Sequence, residues 1–598
     1  MGRFRKYYRY SRRFTYRLIH WFATHISDRN YQIIVSIIIG LVSGLVAVGV
    51  KSLVFLLKEW IQGSDPTRER LLFVFLPLGG VLCTIAFIRL IVRRPVNPGL
   101  SELIYAISRK KVNLPRYETY AHAVSSSLTV GFGGSVGLEA PIIRTGSAIG
   151  ANLARILQVG RKRQTLFLAC GAAAGMSAIF NSPVAGVIFA FEVLLTDMAL
   201  HSFIPLLISA ATGAVVAKML YYEQLFFLPS KDWAIDGIPF YLILGLLCGL
   251  LSVIMIRANI RTTAYFDNLR RPVVKVGLGG LAIGLLIFLM PPLFGEGYET
   301  VNNLLAGRIG AIVEHSPFYW LYDEPLFLIG FALAALAAKI FATSITIAIG
   351  GNGGVFAPSM FLGATLGFAF AHSVNLLEWI ELREANFIAV AMAGLISGVF
   401  KSPLTAIFFI AELTGGYGLF VPLMLVSALS YFVSLYFEPH SIFTRELFQK
   451  GLWAPPHERD LSILREMDLR GLIETNFKKV DPEISLGEFV KTIAKSRRNI
   501  FPVVDQEGHL KGIVLLDDVR EMMFDTEKYG QVFVKDVMHN PPTVIDVHDP
   551  MEKVMQQFDF HNAWNLPVAD QGKYLGFVSK SSVFNRYREL LIVRSREA

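Results

Sequence analysis

The sequence predicts a polytopic α-helical membrane domain, built on an internal repeat of many partly broken helices, followed by two small α/β modules. Three observations carry this reading. Hydrophobic residues make up 53% of the 598 positions and charged ones only 17%, against about 25% charged in soluble domains. The apolar runs fill residues 33 to 436 and leave the tail with an ordinary soluble composition. Within the apolar part, SAIFNSPVAGVIFAFEV (177–193) returns as SGVFKSPLTAIFFIAEL (397–413). Short, Gly/Pro-interrupted apolar segments at matching places in two halves point to a transport site.

Residues 1–30 form a basic lead. Its first 17 residues hold seven Lys or Arg and no acid. That bias before a first apolar run places the N-terminus in the cytoplasm. No short apolar core with a small-residue cleavage site follows, so no cleavable signal peptide is expected. The net charge of +10 is thereby explained by topology, and a nucleic-acid partner is not expected.

Residues 31–440 form the membrane domain. Runs such as YQIIVSIIIGLVSGLVAVGV (31–50) and LLFVFLPLGGVLCTIAFIRLIV (71–92) reach the ~20 residues that span a bilayer, and roughly ten to twelve candidates meet that length. Cys83, Cys170 and Cys248 lie in apolar runs without metal spacing and are expected to be buried small hydrophobes. In the repeat, Ser177, Phe180, Ser182, Pro183, Phe189 and Glu192 recur as Ser397, Phe400, Ser402, Pro403, Phe409 and Glu412. GGSVGLEAP (133–141) likewise returns as GGNGGVFAP (350–358), and Gly146 and Gly150 return as Gly363 and Gly367.

Each glycine-rich stretch reads as a bend entering a helix. Such a helix start turns unpaired N–H groups and the positive end of the dipole outward, and holds an anion without a cationic side chain. Conduction needs binding weak enough to release the ion, which suits this device. Glycines that serve only close helix packing are the competing explanation. Glu139 decides between them, because an acid within a span is costly and functional by default. Its carboxylate could occupy an anion position and leave on protonation, acting as gate and proton carrier. Glu192 and Glu412, recurring at equivalent places, are expected to be structural hydrogen-bonding groups or caps.

Residues 441–470, with Pro455 and Pro456, read as a linker. Residues 471–527 and 534–590 each read β-α-β-β-α, as in NIFPVVDQEGHLKGIVLLDDV (499–519) and WNLPVADQGKYLGFVSKSSV (564–583).

Taken in order, these motifs resemble the CLC family of chloride channels and chloride/proton antiporters. NPGLSEL (97–103), GGSVGLEAP, GGVFAP (353–358) and EPHSIFTREL (438–447) are similar to its four anion-site stretches, and the tail is similar to the paired CBS modules of many members. The resemblance implies a homodimer of like subunits in the lipid bilayer, each with a pathway formed by an inverted repeat. It implies Glu139 as the gating and proton-transfer glutamate, and anion contacts at Pro98, Gly99, Val355, Phe356 and Phe443. It implies chloride or another small monovalent anion as substrate and cytoplasmic CBS modules; proton-coupled exchange and a passive, voltage- or pH-gated anion channel both stay open. For a bacterial chain the location would be the inner membrane.

The departures from the family pattern bear on mechanism. Leu138 and Ala140 replace a basic residue and a glycine around Glu139. Pro98 replaces a serine hydroxyl, a change that accompanies nitrate preference in plant relatives. Phe443 replaces a tyrosine hydroxyl. Two side-chain donors are therefore absent, which implies a weak central site with relaxed halide selectivity. Val193 stands where many antiporters carry an internal proton-delivering glutamate. In CBS modules a Gly-led strand, then Thr or Ser, then Asp holds an adenine nucleotide. Asp518 keeps half of that pattern in the first copy, opposite Leu515, and Ser579 keeps the other half in the second, opposite Ser582. Nucleotide regulation and a purely dimerising role both stay open, and no other cofactor and no metal is required.

Other classes fit less well. A divalent-cation carrier needs several oxygen ligands, which the apolar core lacks. A sensor with anchoring spans would need neither a repeat nor intramembrane acids. Neither HExxH, GxSxG nor a GxxxxGK[ST] loop is expected in the obvious places, and no His/Cys cluster suggests a metal site, so an enzyme has little support.

Overall fold

A computed structural model describes residues 27–62, 66–108, 112–195, 202–221, 233–378, 380–450, 463–464 and 466–597. The basic lead before residue 27, and the Pro455–Pro456 part of the expected linker, lie outside the described residues. The chain divides into a helical unit up to residue 453 and a tail from residue 454.

The first unit runs α1 (Asp28–Gln62), α2 (Pro66–Ala86), α3 (Ser101–Ser108), α4 (Glu118–Gly131), α5 (Glu139–Ile156), α6 (Arg161–Phe180), α7 (Pro183–Phe189) and α8 (Phe203–Leu220). It then runs α9 (Ile238–Asp267), α10 (Pro272–Leu289), α11 (Tyr298–Leu305), α12 (Pro325–Ala348), α13 (Phe356–Leu376), α14 (Glu384–Phe400), α15 (Pro403–Leu413) and α16 (Phe420–Phe437), with a short closing helix α17 (Arg445–Gln449). The second eight repeat the order of the first eight: α3 and α11 are single eight-residue helices, and α7 and α15 both begin on proline. Proline suits the first helical turn, where its missing N–H would have no partner. Just before them, α6 and α14 end on left-handed residues, Asn181 (φ 57°) and Lys401 (φ 60°). Asparagine tolerates that region. Lys401 instead gains a partner there, its Nζ donating to Ser434 Oγ.

Seven helices among the described residues are long and apolar enough to cross a membrane, fewer than the ten to twelve expected. The shortfall has a physical reason. The central helices α4, α7, α14 and α15 are short, and α5, α6 and α13 are rich in small or polar residues. They are buried by neighbouring helices rather than facing outward. Gly146 and Gly150 of α5 meet the α6 backbone, and Gly363 and Gly367 of α13 meet that of α14, so closely that a Cβ would collide. The glycines inside these helices therefore serve packing. Outer helices turn apolar rows outward, such as Leu246, Leu250 and Ile254 of α9 and Leu278, Leu281 and Leu285 of α10, which suits lipid. Cys83 is exposed on α2 while Cys170 and Cys248 are buried, which corrects the expectation for Cys83: it lies on a span's outer side.

Phe443 and Leu447, within the expected linker of 441–470, are buried in the core of the helical unit. The unit therefore continues through α17.

The tail holds a two-stranded and a three-stranded sheet. In the second copy, β3 (Ile545–Asp546) pairs parallel with β4 (Asn565–Asp570), and β4 antiparallel with β5 (Lys573–Ser579), with α21 (Met551–Phe560) and α22 (Lys580–Glu597) completing β-α-β-β-α. In the first copy, α18 (Leu486–Ala494) precedes the antiparallel pair β1 (Ile500–Val504) and β2 (Leu510–Leu515). Its leading strand shrinks to one parallel bridge, Val480 with Val503. Its closing helix shrinks to α19 (Leu516–Val519), and α20 (Val534–Val537) follows as another short turn. Aspartates explain the shortening: Asp518 accepts the Leu515 N–H at 2.7 Å and Asp525 accepts the Glu527 N–H at 3.2 Å, each starting a separate turn. Glu474, near the start of the first copy, exchanges backbone hydrogen bonds with Phe577 of β5 at 2.7 and 3.0 Å.

Candidate functional site

Two pairs of bonds organise the centre of the helical unit, and each is reciprocal. Gly137 N–H donates to the Gly354 carbonyl at 2.8 Å, and Gly354 N–H to the Gly137 carbonyl at 2.7 Å. Both residues hold the same place in their repeat. At the second pair, the Glu192 carboxylate accepts the Leu404 and Thr405 N–H groups of α15 at 3.1 and 2.8 Å and the Thr405 hydroxyl at 2.7 Å. Glu412 accepts the Val184 and Ala185 N–H groups of α7 at 3.0 and 2.9 Å. Each acid thus caps the first turn of the other repeat's helix, satisfying orphan donors. Reciprocity of this kind, with residue i touching j and j touching i, is what an approximate two-fold axis produces. The expected structural role of both glutamates is what these bonds show.

The glycine bridge sets two helix starts side by side. Glu139 is the first residue of α5, and Phe356 the first of α13 with Val355 before it. Glu139 is fully buried. Its carboxylate faces the backbone N–H of Ala357 and of its own residue. Tyr298, the first residue of α11, donates its hydroxyl to Oε1, while Oε2 has no side-chain partner. A carboxylate therefore sits where the N-terminus of α13 would hold an anion.

Aromatic rings fill the space beside it. Phe180 closes α6 and Phe400 closes α14, again equivalent places. Phe180 meets Tyr298 edge-on (6.4 Å between ring centres), Phe356 (5.6 Å) and Phe409 (4.5 Å). Phe400 is stacked between Phe356 (5.2 Å) and Phe443 (5.1 Å). The structure thus brings Glu139, Val355, Phe356 and Phe443 into one neighbourhood. Pro98 and Gly99 are half-buried in the turn before α3. Gly99 takes φ +80° with open space on its side-chain face. Among the described residues no hydrogen bond joins that turn to the aromatic cluster.

Arg144, the other charge on the GGSVGLEAPIIRTGSAIG stretch, is not available to an anion. It is buried, donating to the Asn97 carbonyl at 2.8 Å and to Glu102 and Glu118 at 3.2 and 3.1 Å. Two carboxylates offset its charge, and it anchors the 97–101 turn to α5. Ser135 completes a G-x-S-x-G string at 133–137, which corrects the expectation that none occurs; its buried hydroxyl has no hydrogen-bond partner among the described residues, so the string makes no nucleophile.

Val193 lies half-buried on the π-helical turn Ala190–Leu194, next to Glu192. In the tail, Asp518 spends one oxygen capping Leu515 and lies 3.3 Å from His539. Ser579 donates to Glu474 at 2.6 Å and accepts the Ser582 N–H at 3.1 Å. Each is thus engaged within the tail. Asp505, on the β1–β2 turn, has its carboxyl held below the usual range by the His509 N–H at 2.8 Å and by Lys511 at 3.1 Å.

Sequence reasoning missed Tyr298 and the residues that hold its segment. Lys339 of α12 is fully buried, with Nζ 2.8 Å from the Gly295 carbonyl, 3.4 Å from that of Leu293, and over the Phe361 ring. Glu296 pairs with Lys58 at 3.7 Å. Gly297 takes φ +89°, and a Cβ there would lie 2.7 Å from Phe361. A lysine in the apolar run AALAAKIFATS was the available signal; Tyr298 gave none.

Residues 80–435 match the family model described as voltage gated chloride channel. The chain belongs to that family. Residues 469–525 and 534–589 each match the CBS domain. A putative chloride channel protein ClcB-like from Ralstonia nicotianae is 27% identical over 429 residues, 69% of this chain and 95% of that one. Among solved structures, a slow cyanobacterial Cl-/H+ antiporter aligns with TM-score 0.59 at 22% identity, covering 71% of this chain and 99% of its own. A eukaryotic CLC transporter aligns with TM-score 0.60 at 19% identity, covering 92% and 97%. The chain is therefore a multi-pass membrane protein of the CLC fold with a CBS tail.

Proposed function

We propose that this CLC-family chain moves chloride or a related small monovalent anion through each subunit of a homodimer, along a path that passes Glu139. One observation carries the reading: a buried carboxylate stands against the N-terminus of α13, beside a second helix start that the Gly137–Gly354 bridge holds in register. Such a place attracts anions through backbone dipoles alone. An anion and the carboxylate compete for it, so Glu139 acts as the gate. Protonation discharges the carboxylate and lets it leave, which couples anion movement to a proton. The printed names of relatives, chloride channel and Cl-/H+ antiporter, support the reading. The loss of hydroxyls at Pro98 and Phe443 leaves backbone N–H groups as the main donors, so selectivity among chloride, nitrate and other anions is weak.

A second reading, a passive anion channel, draws on Val193: an apolar side chain at the internal proton-delivery position. Chloride-gradient-driven proton uptake into proteoliposomes separates the two. Uphill proton movement that disappears in Glu139→Gln supports exchange, with water carrying protons past Val193. Anion flux without proton movement supports the channel. For the tail we propose assembly of the cytoplasmic side as the main role, since Asp518 and Ser579 are engaged in local bonds. A thermal shift of the full protein with adenine nucleotide would overturn that.

A further inference from the structure

We infer that Tyr298 is a positioning residue for the gate: its hydroxyl latches the Glu139 carboxylate against the α13 N-terminus. The inference rests on Glu139 acting as the gate. Its support is geometric. The Tyr298 Oη donates to Glu139 Oε1, and both residues are buried. The phenol belongs to a segment with little freedom to move. Lys339 holds the Gly295 and Leu293 carbonyls, Glu296 is paired with Lys58, and Gly297 is pressed on Phe361. The Tyr298 ring is further braced edge-on by Phe180. A donor on a fixed support favours one carboxylate position, as preorganised donors do in other sites. A hydrogen bond to an ionised carboxylate is among the stronger kinds, and it is made only while the carboxylate stays in the pathway.

The consequence is a competition. The latch raises occupancy of the anion position by the carboxylate, and an entering anion must displace it. Removing the hydroxyl alone weakens the competitor and leaves the anion's own backbone donors untouched. The half-saturating chloride concentration for flux should therefore fall, with a smaller change in the maximal rate.

The test is chloride flux from proteoliposomes of the full chain at varied chloride, for the wild type, Tyr298→Phe, Glu139→Ala and the double variant. Tyr298→Phe keeps the ring that packs on Phe180, and gel filtration in detergent checks the fold. Tyr298→Phe should lower the half-saturating chloride by about tenfold, the scale of one hydrogen bond to a charged group. In the Glu139→Ala background the same substitution should change nothing, because the carboxylate it acts on is gone. An equal shift in both backgrounds would show Tyr298 acting on the pathway itself and would overturn the latch. So would an unchanged half-saturation in Tyr298→Phe alone. If Glu139→Ala behaves as wild type, the gating role falls, an outcome distinct from either.

Discussion

Gly137 and Gly354 exchange both of their backbone hydrogen bonds, at 2.8 and 2.7 Å, although 217 positions separate them. The pair works as a two-residue antiparallel bridge across the repeat axis. It fixes the spacing of the α5 and α13 starts, and so of the backbone donors around Glu139. Gly354 has little room for a side chain, since a Cβ would lie 2.9 Å from that of Ala140. Gly354→Ala should push the two starts apart at a cost of about 1–3 kcal/mol. Lower thermal stability in detergent together with weaker chloride binding is the expected pattern. Unchanged melting and unchanged binding would show that the bridge tolerates separation.

The exchanged caps predict a symmetry in mutational effect. Glu192 serves α15 and Glu412 serves α7, each with two backbone donors. Glu192→Ala and Glu412→Ala should each strand two N–H groups at a helix start, costing about 1–3 kcal/mol. Glu192→Ala should cost slightly more, because the Thr405 hydroxyl also loses its acceptor. Melting temperatures of the two variants, purified in the same detergent, check this. A loss confined to one of them would mean the two halves are not energetically equivalent.

The repeat, the glycine bends and Glu139 were legible in the sequence because each leaves a local mark: matched strings at near-constant offset, and an acid among apolar neighbours. Pairing of the bends followed from the duplication. Tyr298 was illegible for the opposite reason. It sits in the polar string GEGYET, 159 positions from Glu139, where nothing local sets its phenol apart. The pairing of Arg144 was illegible for the same cause: its partners Glu102 and Glu118 lie on other helices. The span count erred because length and hydropathy cannot separate a lipid-facing helix from a short one enclosed by others, as α4 and α14 are.

Asp505 gives the tail a measurable pH dependence. Its carboxylate accepts the Glu507 and His509 N–H groups at 3.0 and 2.8 Å and faces Lys511. These partners favour the charged form and lower its pKa in the folded tail. A depressed carboxyl stabilises the fold above its unfolded pKa of about 3.9, and the contribution is lost as pH falls through the folded value. Asp505→Asn should therefore speed hydrogen exchange at Glu507 and His509 near neutral pH. The difference from wild type should close as the pH drops below the ordinary carboxylate range. A difference that persists at acid pH would assign the effect to shape rather than charge.

Phe443 offers the most direct test of how this chain binds its anion. Its ring stacks on Phe400, which stacks on Phe356 at the α13 start. Three apolar rings in series leave that side of the pathway without a hydroxyl donor, which is the reason for proposing a weak, poorly selective site. Phe443→Tyr changes one atom while retaining the stack. If the ring edge faces the anion, the added hydroxyl contributes one bond to a charged partner, roughly 1.5–3 kcal/mol. Chloride affinity should then rise by about tenfold or more, with a larger gain for chloride than for bulkier anions such as nitrate. Calorimetric titration of both proteins with the two anions reads this. Equal gains for both anions would show that the hydroxyl adds affinity without discrimination. No gain at all would place the Phe443 edge away from the ion and return the burden of binding wholly to the backbone of α13.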